Sequence, residues 1–106
     1  MSEDELLASV TSLAAWLRLS AYHTFDSRRS APGFPDMVIA GPGGVIFAEL
    51  KSAHGKLTKE QAEWRYVLEL AGQAYKLWHP KDWATGVIAD TLKGIASCSS
   101  RNSPRS

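Results

Sequence analysis

The sequence predicts an α/β (α+β) fold: a small mixed β-sheet flanked by helices, with elements in the order α-β-β-β-α-β-α. Three observations predict it. Apolar residues recur at helical spacing near the N-terminus and again over residues 58–72. Two short apolar runs, residues 36–40 (DMVIA) and 45–51 (VIFAELK), are separated only by the turn sequence GPGG, which reads as a hairpin. A further apolar run, residues 73–78 (QAYKLW), follows the second helix directly and adds a strand to the same sheet.

Each element has its own signals. Residues 2–19 form the first helix, with Leu6, Leu7, Val10, Leu13, Ala14 and Leu17 on one face. Ser2 followed by Glu5 matches a capping box, in which the Glu side chain returns to the N-cap backbone. Residues 21–24 (AYHT) form a short strand, and FDSRRSAPGFP is a polar loop with two arginines, two prolines and a glycine. After the hairpin and the loop SAHGK, Thr58 opens the second helix, with Gln61 completing another capping box and Trp64, Val67, Leu68 and Ala71 forming its apolar face. Pro80 starts a last helix running to about residue 95. Residues 1–96 are expected to form one domain and the polar residues 97–106 a disordered tail.

Composition narrows the function classes. A chain of 106 residues favours one domain with one core, and 44% hydrophobic with 22% charged residues is ordinary for a soluble globular protein. The net charge of +1 excludes a broadly basic surface and leaves room for a local patch. Cys98 is the only cysteine, which rules out an intrachain disulfide and argues against a cysteine-based zinc site. Apolar runs are far shorter than a membrane span, and the N-terminal SEDE is acidic, unlike a secretion signal. An intracellular, soluble protein is expected.

The hairpin carries charges where a core strand avoids them. Side chains two apart on a strand share a face, so Phe47, Glu49 and Lys51 point one way and Ile46, Ala48 and Leu50 the other. A register that sets Asp36 beside Glu49 brings two carboxylates and an ammonium to one sheet end. Two adjacent carboxylates repel, and one takes up a proton unless a cation neutralises the pair. Mg²⁺ suits such a site, since it binds through one or two carboxylates and keeps several waters. Lys51 would then orient the attacking water and stabilise charge on a phosphate. Taken alone, an E-x-K triplet is more ordinarily a solvated edge or a surface ion pair worth little.

The segments PGFPD and E-L-K resemble the signature of the PD-(D/E)xK nucleases. The run from Glu5 to about Trp83 is more closely similar to the VRR-NUC domain, the virus-type replication-repair nuclease module, through YHTFDSRRSAPGFPD, FAELKSAHGKLTKEQAEW and AYKLWHPKDW. The resemblance implies a restriction-endonuclease-like core and Mg²⁺- or Mn²⁺-dependent cleavage of DNA. It makes Asp36, Glu49, Glu5 and the backbone carbonyl of Leu50 metal ligands, Lys51 the catalytic lysine, and Gln61 the glutamine of the following helix. Minimal stand-alone members are typical of phages and bacteria. They act as homodimers and are associated with Holliday-junction cleavage, which implies a branched DNA partner and a bacterial or phage-infected cytoplasm.

Other readings stay open beside it. Capping alone explains both Glu5 and Gln61. Arg28 and Arg29, with Ser27, Ser30 and Gly33 nearby, and Lys56 and Lys59 across the second loop, would clamp DNA phosphates, or be ordinary solvated loop charges. His23 and His79 read as structural residues and His54 as loop surface, and no His spacing supports zinc. Trp16, Trp64, Trp78 and Trp83 read as core or dimer contacts rather than base-stacking platforms. A nuclease for flaps, nicks or duplex ends, and a catalytically inactive DNA-binding module, are the rival functions.

Overall fold

The computed structural model describes residues 1–24 and 31–97. The elements are α1 (Glu3–Trp16), β1 (Ser20–His23), β2 (Met37–Gly41), β3 (Gly44–Leu50), α2 (Lys59–Leu70), β4 (Ala74–Trp78), α3 (Pro80–Ala84) and α4 (Val87–Ala96). The order is the expected one, with the last helix in two pieces. Ser27, Arg28 and Arg29 of the arginine loop, together with Cys98 and the rest of the expected tail, lie outside the described residues.

Helix ends are set by local chemistry. α1 stops at Trp16, short of the expected residue 19, because Arg18 adopts a left-handed φ of 61°. There the Arg18 N–H donates to Ala15 O and the Leu19 N–H to Ala14 O, the paired bonds of a Schellman stop. α2 ends the same way on Gly72. The expected single helix from Pro80 to about residue 95 is broken by Gly86 (φ 85°), which closes α3 and is the N-cap of α4. The break lets α4 turn Ile88, Leu92 and Ile95 into the core independently of α3.

The sheet has strand order β1-β2-β3-β4. β1, β2 and β3 form an antiparallel meander, and β4 joins β3 in parallel after the α2 crossover. One face holds Met37, Ile39, Ile46, Ala48, Leu50 and Trp78, buried with Leu6, Val10 and Ala14 of α1 and with α4. The opposite face holds Phe47, Glu49 and Tyr75 under α2. There Phe34 stands edge-on to Phe47 and to Trp64, at centroid distances of 6.2 and 5.0 Å. Of the tryptophans, Trp78 is core, Trp64 and Trp83 are half-buried, and Trp16 is 82% exposed, so it makes no core contact.

Candidate active site

The site forms at the end of the sheet where β2 begins and β3 finishes. Met37 pairs with Ala48, so carrying the antiparallel register one residue further sets Asp36 opposite Glu49, on the same face. Asp36 is fixed on both sides. Its Oδ2 accepts the Leu50 N–H at 2.9 Å, and its carbonyl accepts the Thr24 N–H at 2.9 Å. The preceding APGFP segment is pressed onto the start of α2. A Cβ on Gly33 (φ 83°) would sit 2.4 Å from the Glu60 carbonyl carbon, so only glycine fits there. That contact and the Phe34 wedge hold Asp36 against the end of β3.

Among the described residues Glu49 is the one buried charged side chain, 2% exposed. Its Oε2 accepts from Gln61 Nε2 at 3.0 Å and lies 3.7 Å from Lys51 Nζ. Its Oε1 is buried without a hydrogen-bond partner. Burial, and then the charge of Asp36, push the Glu49 carboxyl up to about 8, with Lys51 opposing the rise. Near neutrality this carboxyl therefore holds a proton that a cation can displace.

Lys51 is held by its surroundings. Its N–H donates to Trp78 O at 2.9 Å. The following loop folds back so tightly that a Cβ on Gly55 would stand 3.0 Å from Lys51 Cβ. His79 Nε2 lies 2.9 Å from Gly55 O. A carbonyl only accepts, so that ring nitrogen carries the proton and pins the loop over Lys51. The sequence marks His79 only as a structural residue and carries no sign of which loop it holds.

The structure thus brings together Asp36, Glu49, Lys51 and Gln61. Glu5 stands elsewhere. Its Oε1 accepts the Ser2 N–H at 2.7 Å, its carboxyl is held below the usual range by those Ser2 hydrogen bonds, and it faces solvent. Glu3 and Asp4, with Leu7, His23, Asp36 and Leu50, line a cavity of about 70 Å³ between α1 and the sheet end. Among the described residues, no three His, Cys, Asp or Glu side chains are grouped closely enough to hold a metal ion. Lys56 and Lys59 are exposed, after the Lys51 loop in sequence. Glu3 is exposed like Glu5, but it lies three, four and seven residues before Leu6, Leu7 and Val10, which sets it on the side of α1 nearer the sheet.

This arrangement of strands and helices has a counterpart among solved structures. The fold is similar to that of a solved VRR_NUC domain protein. The two agree with a TM-score of 0.62 at 19% identity, over 92% of this chain and 97% of that one. The resemblance read from the sequence, with its restriction-endonuclease-like core, thus holds at the level of the fold. A lesser likeness is to Hjc of Archaeoglobus fulgidus, a Holliday junction resolvase from an archaeal hyperthermophile. It has a TM-score of 0.47 and 21% identity, over 74% of this chain and 65% of that one. No protein-family model matches the sequence, and no curated protein matches it significantly. No helix among the described residues is long and apolar enough to cross a membrane.

Proposed function

We propose that the protein is a divalent-metal-dependent DNA endonuclease that hydrolyses phosphodiester bonds, acting as a homodimer on branched DNA such as a four-way junction. The observation that carries the reading is the meeting of Asp36 and Glu49 beside Lys51, with Glu49 Oε1 buried and unpaired. A buried carboxylate oxygen with no donor, next to a second carboxylate, is a place built for a cation. Asp36 and Glu49 would hold Mg²⁺ or Mn²⁺, with the Leu50 carbonyl beside them. Such an ion supplies Lewis acidity towards a phosphoryl oxygen and lowers the pKa of water.

The chain's own groups do the rest. Leu50 N–H and Gln61 Nε2 fix one oxygen of each carboxylate, leaving the other oxygen for the cation. Lys51, anchored by Trp78 O and the folded loop, orients the attacking water and meets the negative charge that grows on the phosphate. Of the α1 acids, Glu3 takes the supporting role that the resemblance gave to Glu5, because it lines the cavity that Asp36 also lines. Lys56 and Lys59, with Arg28, Arg29 and Ser27, are assigned to phosphate contacts along the DNA.

The test is cleavage of a labelled four-way junction by wild type and Lys51→Ala, with and without Mg²⁺, beside flap, nicked and blunt duplexes. Wild type cuts the junction only with Mg²⁺, and Lys51→Ala loses roughly 100-fold or more while keeping its fold. Equal cutting by both proteins, or cutting in chelator, refutes the mechanism. Flaps cut while junctions stay intact would move the substrate assignment.

A further inference from the structure

Two side-chain polar atoms are buried without a hydrogen-bond partner among the described residues: Glu49 Oε1 and Tyr75 Oη. They belong to the same face of the sheet. The parallel register pairs Phe47 with Tyr75 and Glu49 with Leu77, so Tyr75 lies one step below Glu49 on the side covered by α2. Tyr75 is 6% exposed. Its ring is covered by the Arg65 guanidinium, 5.3 Å from the centroid, and Arg65 is itself tied to Glu69 at 3.4 Å. Burial first, and then the charge of Glu49, push the phenol's pKa upward, so it remains an O–H donor at any working pH.

A buried hydroxyl left unpaired is costly, and so is a buried carboxylate oxygen; two such atoms on one face are the usual setting for an internal water. We propose that Tyr75 is a positioning residue for Glu49, its hydroxyl donating through one buried water to Glu49 Oε1. The inference rests on the reading of Asp36 and Glu49 as metal ligands. Gln61 and Lys51 approach Oε2 from the α2 side and the sheet end. A donor below Oε1 stops the carboxylate from rotating and leaves its remaining lone pair directed at the cation. A phenylalanine would fill the same space and keep the Arg65 contact, but would leave Oε1 with no donor from the protein. Hydrogen-bond partners of metal ligands commonly govern affinity by about 10- to 100-fold.

Tyr75→Phe and wild type are compared in Mn²⁺ binding without DNA, by calorimetry or electron paramagnetic resonance, with melting curves as a folding control. Tyr75→Phe is expected to bind Mn²⁺ about tenfold more weakly. A second measurement needs no metal: the ¹³C shift of labelled Tyr75 Cζ at alkaline pH, where Glu49 is ionised, in wild type and Glu49→Gln. The shift is expected to move on Glu49→Gln. An unmoved Cζ overturns the link, and Mn²⁺ binding by Tyr75→Phe equal to wild type overturns the positioning role. Wild type that fails to bind Mn²⁺ while Cζ responds would sink the metal reading of the site and leave the Tyr75–Glu49 contact supported.

Discussion

Two helices of this protein begin with the same device and put it to different use. α1 opens with Ser2 and Glu5, α2 with Thr58 and Gln61, and both boxes close reciprocally. In each, the residue at the third helical position returns an oxygen to the N-cap N–H, at 2.7 Å from Glu5 and 2.8 Å from Gln61. The difference lies in what remains after capping. A carboxylate only accepts, and Glu5 faces solvent with nothing further to hold. An amide carries donors as well, and Gln61 Nε2 reaches Glu49 while Oε1 still caps the helix. Capping and site support are therefore alternatives for glutamate and compatible for glutamine.

Exchanging the two side chains sharpens the contrast most. Gln61→Glu keeps an acceptor for the Thr58 N–H, removes the donor to Glu49 and sets a third negative group beside two carboxylates. Cleavage is expected to fall on the order of 100-fold, with the helical circular dichroism unchanged. Glu5→Gln keeps its cap too and is expected to cut within twofold of wild type. Equal losses in the two variants would mean that Glu5 also serves the site.

The Glu49 carboxyl gives the next largest effect, read as stability against pH. Its pKa in the folded chain, about 8, lies above the ordinary 4.5, so between those values the native state holds more protons than the unfolded one. Stability then falls as pH rises through this window and levels off above it. The metal-free protein should lose on the order of 1 kcal/mol or more between roughly pH 5 and 9 in denaturant titrations. Glu49→Gln should flatten that slope, and saturating Mg²⁺ should flatten it too, since the cation-bound and unfolded states are then both ionised at Glu49 across the window. A slope that persists in Glu49→Gln would assign the effect to another group.

The fold and the centre of the site were legible because they rest on short-range pattern. GPGG between two apolar runs fixes the antiparallel register, and that register alone carries Asp36 to Glu49. The capping boxes could be read residue by residue. What escaped depends on distant packing or on a single backbone angle. Tyr75 meets the Glu49 face only through the parallel pairing of β3 with β4, which no local spacing encodes. Gly86 and Arg18 end helices by turning left-handed, and the apolar periodicity runs straight through both positions. Glu3 differs in kind, since its spacing to Leu6, Leu7 and Val10 was visible in the sequence beside the better-matched Glu5.

Glu3 supplies a smaller test of the same comparison. Both acids are exposed, but Glu3→Gln removes a charge from the rim of the cavity that Asp36 lines, whereas Glu5 does not line it. A loss of about tenfold in cleavage is expected for Glu3→Gln, seen as a higher Mg²⁺ requirement at unchanged DNA binding. The reverse ranking, with Glu5→Gln the more damaging, would restore Glu5 to the site.

The smallest effect separates a cap that only holds a helix from one that also aligns a side chain against Glu49. Thr58→Ala removes the hydroxyl that accepts the Gln61 N–H at 3.2 Å, and Ser2→Ala removes its counterpart at 3.1 Å from the Glu5 nitrogen. Loss of such a cap costs about 1 kcal/mol. Thermal unfolding should therefore register both substitutions similarly. Cleavage should not, because loosening the first turn of α2 frees Gln61 from its place under Glu49, while loosening α1 moves only a solvent-facing acid. A several-fold fall in turnover for Thr58→Ala, with Ser2→Ala unchanged at equal fraction folded, is the expected result. Equal turnover in the two would show that Gln61 finds Glu49 without help from its helix cap.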